Sequence, residues 1–242
     1  MPSQRPIAGK NVQDAVHHAL EEVFALSDER FIYRLTYTKG ERVKYISHLD
    51  FLRCVNRAFK RAKVPVKYSQ GFNPHILLNI GLPCPVGVSS VCEELDIELT
   101  MPMENDEIIK RMNSSLPDAI RVLECKRKEN DPDFYDIEYA RYSINFSADS
   151  AFDTETFSKE DEFLIEKKSK RGMKEVNIFE FIKELKISEN ADGTYFADAV
   201  ISAGNKLNLK PDLLISALSS YYNMNIKDVY IERKEIFYEN VK

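Results

Sequence analysis

Apolar residues along this chain recur at two different spacings, and each spacing predicts a kind of element. In "FIYRLTY", Phe31 to Tyr37, aromatic and β-branched residues alternate with polar ones, the two-residue period of a half-buried strand. Lys39-Gly40 predicts a turn, and "RVKYI" a short returning strand. Leu52, Val55, Phe59 and Ala62 then follow at i, i+3, i+7 and i+10. That predicts an amphipathic helix from about His48 to Lys63, packed on a sheet. "VPVKYS", "ILLNIGL" and "EELDIELT" read as strands, separated by the loops "GFNPH" and "PCPVGVSS". "NDEIIKRMNSSL" reads as a helix capped by Asn105 or its neighbour, and "AIRVLECKRK" closes the first half. With the small hairpin set aside, the order is β-α-β-β-α-β. This is the split βαβ, ferredoxin-like arrangement, an antiparallel sheet with two helices on one face.

"KENDPDFYDIE" is polar and broken by proline, which marks a boundary. Beyond it "YARYSINFS" alternates as a strand, and Asp153 to Ser158 reads as weakly helical or irregular. "DEFLIEKKSKRGMKE", with Gly172, predicts a hairpin or loop. "IFEFIKELKIS" is mixed, with a strand at its end. Asp192-Gly193 predicts a hairpin turn into the strand "TYFADAVIS". "KPDLLISALSSYYN" is a helix with Pro211 in its first turn, and "DVYIERKEIFYE" a last strand. The expectation is an α+β protein made of two ferredoxin-like halves, residues 31–128 and 129–242. They follow an N-terminal extension, 1–30, where Val12, Val16, Ala19 and Val23 have helical spacing.

The composition, 43% hydrophobic and 30% charged over 242 residues, is that of an ordinary globular chain. No apolar run is long enough to cross a bilayer, and "MPSQRPIAGK" has no signal-peptide pattern, so a cytoplasmic location is expected. Cys54, Cys84, Cys92 and Cys125 form no CxxC pair and read as reduced, buried or idle thiols; no metal site is expected. The net charge of −5 argues against nucleic-acid binding by bulk charge, and no DNA partner is expected. Its distribution changes that picture. From Phe51 to Cys92 there is no acid, while the same stretch carries Arg53, Arg57, Lys60, Arg61, Lys63 and Lys67. A cationic block inside an anionic chain is a local anion-binding feature.

At the head of that block stand Ser47, His48 and Asp50. A nucleophilic triad is poorly served by them, because neighbours within one helical turn point in different directions. Ser47 with Asp50 three residues on is instead a capping-box pattern. Ser47 Oγ would accept a backbone N–H, and Asp50 would reach back to the serine N–H. Arg53, Arg57, Lys60 and Arg61 form a basic stripe on the helix with no acid among them to pair at i,i+4. The next segment, "KYSQGFNPH", sets Lys67, Tyr68, Gln70, Phe72, Asn73 and His75 around one glycine. Cations for phosphate, rings for stacking and amides for base edges are the chemistry of single-stranded RNA recognition. An anchored structural loop is the other reading of the same residues.

The stretch Arg34 to Leu99 resembles the bacterial radical-SAM-linked protein family, a domain of unknown function. The resemblance rests on "SHLD" at Ser47 to Asp50, Arg57, "RA" at Arg61-Ala62, "GFNPH" at Gly71 to His75, "PVG" at Pro85 to Gly87, and Glu94 with Asp96. It is weaker in the second half: "KEVNI" has Asn177 where the family pattern has aspartate, while the Lys210-Pro211 helix and the last strand with Arg233 fit. Members occur beside or fused to radical S-adenosylmethionine proteins, near ribosomal-protein and ribonuclease genes. The resemblance therefore implies RNA (tRNA or rRNA), or a protein that modifies it, as partner, together with a radical S-adenosylmethionine protein. This chain lacks the three closely spaced cysteines such an enzyme needs for its cluster, so no cofactor is expected here.

The reading is an RNA-associated accessory protein of translation or RNA modification, non-catalytic rather than an enzyme. Its contacts would be Arg53, Arg57, Lys60, Arg61, Lys67, Tyr68, Phe72, Asn73 and His75. Two alternatives stand beside it. One is an adaptor docking the radical S-adenosylmethionine protein. The other is an RNA-directed acid–base enzyme in which His48, His75, Glu94 and Asp96 share a cleft.

Overall fold

The computed structural model describes residues 29–150, 163–169 and 172–239. The expected N-terminal helix and the Asp153 to Ser158 segment lie outside the described residues. The fold is α+β, a mostly antiparallel mixed sheet with three α-helices among the described residues. In the first half come β1 (Phe31–Lys39), α1 (His48–Arg61), β2 (Leu78–Ile80), β3 (Val88–Leu99), α2 (Asn105–Asn113) and β4 (Val122–Arg127). In the second come β5 (Ile137–Ala148), the hairpin β6 (Leu164–Ser169) and β7 (Gly172–Asn177), β8 (Ile182–Glu189), β9 (Tyr195–Ser202), α3 (Pro211–Tyr221) and β10 (Ile226–Tyr238).

One eight-stranded sheet runs through both halves in the order β4-β1-β3-β10-β5-β9-β8, with β2 also on β3. Its pairings are antiparallel except for β3 with β10, where Ile231, Glu232 and Arg233 run parallel to Val88, Ser89 and Ser90. Two apolar cores lie on this sheet. One gathers Tyr33, Leu35, Ile97 and Leu99 under Val55, Phe59, Ile108 and Met112. The other gathers Ile144, Phe146, Ala199 and Ile201 under Leu214 and Leu218.

Two expected strands do not form. "RVKYI" is a 3-10 turn at Glu41–Val43 followed by an irregular stretch. Its alternation is genuine, but β1 is already paired on both edges, by β3 and β4, and no strand edge is open to it. "VPVKYS" makes only isolated bridges, Val66 to Leu99 and Tyr68 to Ile76. "ILLNIGL" contracts to the three residues of β2, while β3 begins at Val88, five residues before the expected Glu93.

The buried face of α1 is Phe51, Val55, Ala58 and Phe59, with Ala62 at the C-cap; Leu52 is only half-buried. The helix is thus turned slightly from the expected face, so that Phe51 stacks on Tyr37 with ring centroids 5.3 Å apart. The N-cap of α2 is Glu104, the neighbour of Asn105, without a side-chain cap bond.

Candidate functional site: a cationic helix face and a cleft between the halves

Ser47 caps α1 as its spacing predicts: Ser47 Oγ accepts from Asp50 N at 3.1 Å. The return bond differs from a full capping box. The serine hydroxyl donates to Asp50 Oδ2 at 2.8 Å, and the other carboxylate oxygen accepts from Arg53 at 2.9 Å. Those two hydrogen bonds, the serine's first, hold the Asp50 carboxyl below its usual range.

Arg53, Arg57 and Arg61 follow at four-residue intervals and line one shallow groove with Asp50 and Cys54. Arg61 Nη2 donates to Ser115 O at 2.6 Å. Arg57 has no ion pair or hydrogen bond among the described residues. Lys60 Nζ lies 6.0 Å from the Tyr68 ring centroid, so the helix's basic side meets the following loop. In that loop Phe72 is fully exposed and Tyr68 partly so. His75 Nδ1 lies 2.9 Å from Ser69 Oγ, which closes the loop, and Asn73 is exposed. Lys67 departs from the group, pairing with Glu98 at 2.7 Å. Among these six cations, then, Arg53 and Lys67 have carboxylate partners, while Arg57, Lys60, Lys63 and Arg61 have none among the described residues.

The four acid–base candidates are not gathered into one cavity. His48 is exposed at the first turn of α1, beside a narrow crevice with Lys39, Cys84 and Glu93. His75 is held within its own loop. Glu94 and Asp96 belong to a polar network built with Arg34. Arg34 Nε and Nη2 donate to the two oxygens of Asp96 at 2.7 and 3.0 Å, and Lys128 reaches the same carboxylate at 2.9 Å. Tyr238 donates to Glu94. Phe134 covers the site, its ring centroid 4.2 Å from the Arg34 guanidinium carbon. Asp96 is committed to two cations, and such an arrangement holds β1, β3 and the linker after β4 together.

A larger feature lies where the β2–β3 loop, the linker before β5 and the β9–α3 connection converge. They enclose a cleft of about 1070 Å³. Its floor includes Tyr142, Ile231 and Arg233. Arg233 is 1% exposed and reaches across from β10. Nη1 donates to Glu93 at 2.8 Å and to Leu82 O at 2.5 Å, and Nε to Tyr142 OH at 3.2 Å. Burial works against the charge on Arg233 more than any single neighbour favours it, but Glu93, Tyr142 and Cys84 together more than restore it, so its pKa is raised.

Lys39, also buried, donates to Lys44 O, Pro85 O and Val88 O at 3.0 to 3.3 Å. Two buried cations, one from each half, thus grip the carbonyls of the loop between β2 and β3 and fix that wall of the cleft. On the same loop Gly87 has a φ of 88° and lies under the Tyr45 ring. At the opposite wall a Cβ on Gly204 would overlap Ile137 O, so only glycine allows the two segments to approach.

Sequence reasoning singled out Arg233 only through the family pattern and did not single out Glu93 or Lys39. Alternation was the available signal: Lys39 shares the inward parity of Leu35 and Tyr37, and Glu93 that of Leu95 and Ile97. No close group of three potential metal ligands occurs among the described residues, and no helix of the described chain is long and apolar enough to cross a membrane.

The chain thus combines a mixed α+β fold, a basic helix face and a cleft between its halves. Its relatives define it further. Residues 32–211 match the sequence model of uncharacterised proteins conserved in bacteria, DUF2344, and the chain belongs to that family. No curated protein matches it.

Proposed function

We propose that this protein is an RNA-associated accessory protein of translation or RNA modification, working in the cytoplasm beside a radical S-adenosylmethionine protein. The observation that carries the proposal is the contact of Lys60 with Tyr68, which joins the basic face of α1 to the aromatic loop. Among the described residues Arg57 has no carboxylate to neutralise it, and Phe72 stands clear of the protein surface. Cations for phosphates beside rings for bases is the combination single-stranded RNA requires.

The test is titration of tRNA, rRNA fragments and unstructured strands across a salt series. Binding should weaken with salt by about 0.7 to 0.9 log units per log unit of salt for each phosphate contact. Arg57→Glu should weaken it and flatten that slope, and Phe72→Ala should weaken single-strand binding without changing the slope. No measurable binding at low salt overturns the proposal.

We read the two halves as ferredoxin-like domains meeting near residue 129. In support, β4-β1-β3-β2 and β10-β5-β9-β8 have the same strand order when each half is numbered from its own start and the separate β6–β7 hairpin is set aside. The β6–β7 hairpin stands in the second half where α1 stands in the first.

A further inference from the structure

We propose that the cleft between the halves binds one ribonucleotide unit, a base, ribose and phosphate, at a site separate from the basic face of α1. The volume of about 1070 Å³ is at the upper end for small-molecule sites, ample for a nucleotide with its water. The shape is fixed in advance, because Lys39 and Arg233 hold Pro85, Val88 and Leu82 by their carbonyls. A site whose walls are already set loses less entropy when it binds.

The chemistry of the lining selects the ligand. Tyr45 and Tyr135 line the cleft with 72% and 66% of their surface exposed, and exposed rings at a cleft are stacking surfaces. The side-chain amides of Asn79, Asn205 and Asn208 also line it and make no hydrogen bond to the described protein. Amides carry both donors and acceptors, which suits the mixed edge of a base. Lys210 lies at the N-cap of α3, with no side chain capping the helix, and Asp212 follows in the first turn. The lysine suits a phosphate, and the carboxylate suits ribose hydroxyls. At the back, Arg233 Nη2 makes no hydrogen bond among the described residues. A purely apolar ligand would leave these polar groups dry and unpaired, and an inorganic anion would leave the rings and amides unused.

Two sources can supply the ligand, a free mononucleotide or the end of an RNA chain, and calorimetry with the full chain separates them. The probes are the four ribonucleoside 5′-monophosphates, ribose 5-phosphate, inorganic phosphate and a short oligoribonucleotide. At least one monophosphate should bind saturably, and inorganic phosphate at least about tenfold more weakly. Asn208→Ala and Lys210→Ala, both exposed and outside the cores, should each weaken that binding several-fold with an unchanged melting temperature. Arg57→Glu should leave it intact, so that failure of the basic face and failure of the cleft are told apart. Binding of the oligonucleotide alone, weakened by Asn208→Ala, supports the site with RNA as the source. Saturable binding by none of the probes at millimolar concentration, or binding that neither cleft variant changes, overturns the proposal.

Discussion

Arg233 and Glu93 are a charge pair almost wholly out of water, and neither tolerates loss of the other. Arg233→Met would strand a buried carboxylate, and breaking such a pair costs about 3–5 kcal/mol. The urea midpoint should fall accordingly, and the paired change Arg233→Met with Glu93→Leu should recover much of the loss. The neighbouring thiols give a second prediction at this scale. Burial pushes Cys84, Cys92 and Cys125 each up to about 12 from 9.0. They stay protonated, and so unreactive, at neutral pH. Thiol labelling of the native protein should reach Cys54 first, the half-buried Cys84 and Cys92 more slowly and the buried Cys125 last; uniformly fast labelling would contradict the raised thiol pKa values. The sign for stability follows. Above pH 9 the unfolded thiols ionise while the folded ones keep their protons, so each costs about 1 kcal/mol of stability per pH unit up to about 12. Melting temperatures measured from pH 8 to 11 should fall steadily. Residues of this kind were only partly legible in the sequence. Period-two counting turns Lys39 and Glu93 inward, yet an inward charge is readable as a site only once its partner is known. The partner of Glu93 is 140 residues away. Arg34 faces away from the core and is covered by Phe134, from the linker, and Tyr238, from β10.

Among the elements, α1 was the most fully legible, because its cap, stripe and basic face are all local patterns. Ser47→Ala should remove the cap bond and lower stability by about 1 kcal/mol, measured by urea unfolding, while Ser47→Asp should largely retain it. The strands were legible where they were long and alternating, as in β1, β5, β9 and β10. "RVKYI" misleads because alternation reports a chain's preference and not whether a neighbour has an edge to offer. The stretch "PCPVGVSS" was recognisable as a loop, though β3 takes over from Val88, and the segment from Leu82 to Gly87 is held by one lysine and one arginine side chain supplied by distant strands. The cleft follows the same rule. Its walls come from three connections that are far apart in sequence, and no local pattern announces that they meet.

In the whole molecule, a single sheet passes through both halves, and β10 lies inside it between β3 and β5. Unfolding in urea should therefore be one transition, with tyrosine fluorescence and far-UV circular dichroism coinciding. Two separated transitions would mean that the parallel β3–β10 contact couples the halves only weakly. The position of β10 also sets a timetable. On the ribosome, this inner strand is made after all the other described strands, so β3 and β5 emerge with facing edges open and must wait for it. Until Ile226 to Tyr238 clears the exit tunnel, the Glu93 carboxylate has no guanidinium and the Leu82 carbonyl no donor. Assembly of the nascent chain is in this respect closed from the inside by a segment made after its neighbours, and anything that shields those two waiting edges in the interval protects the protein from pairing with a stranger.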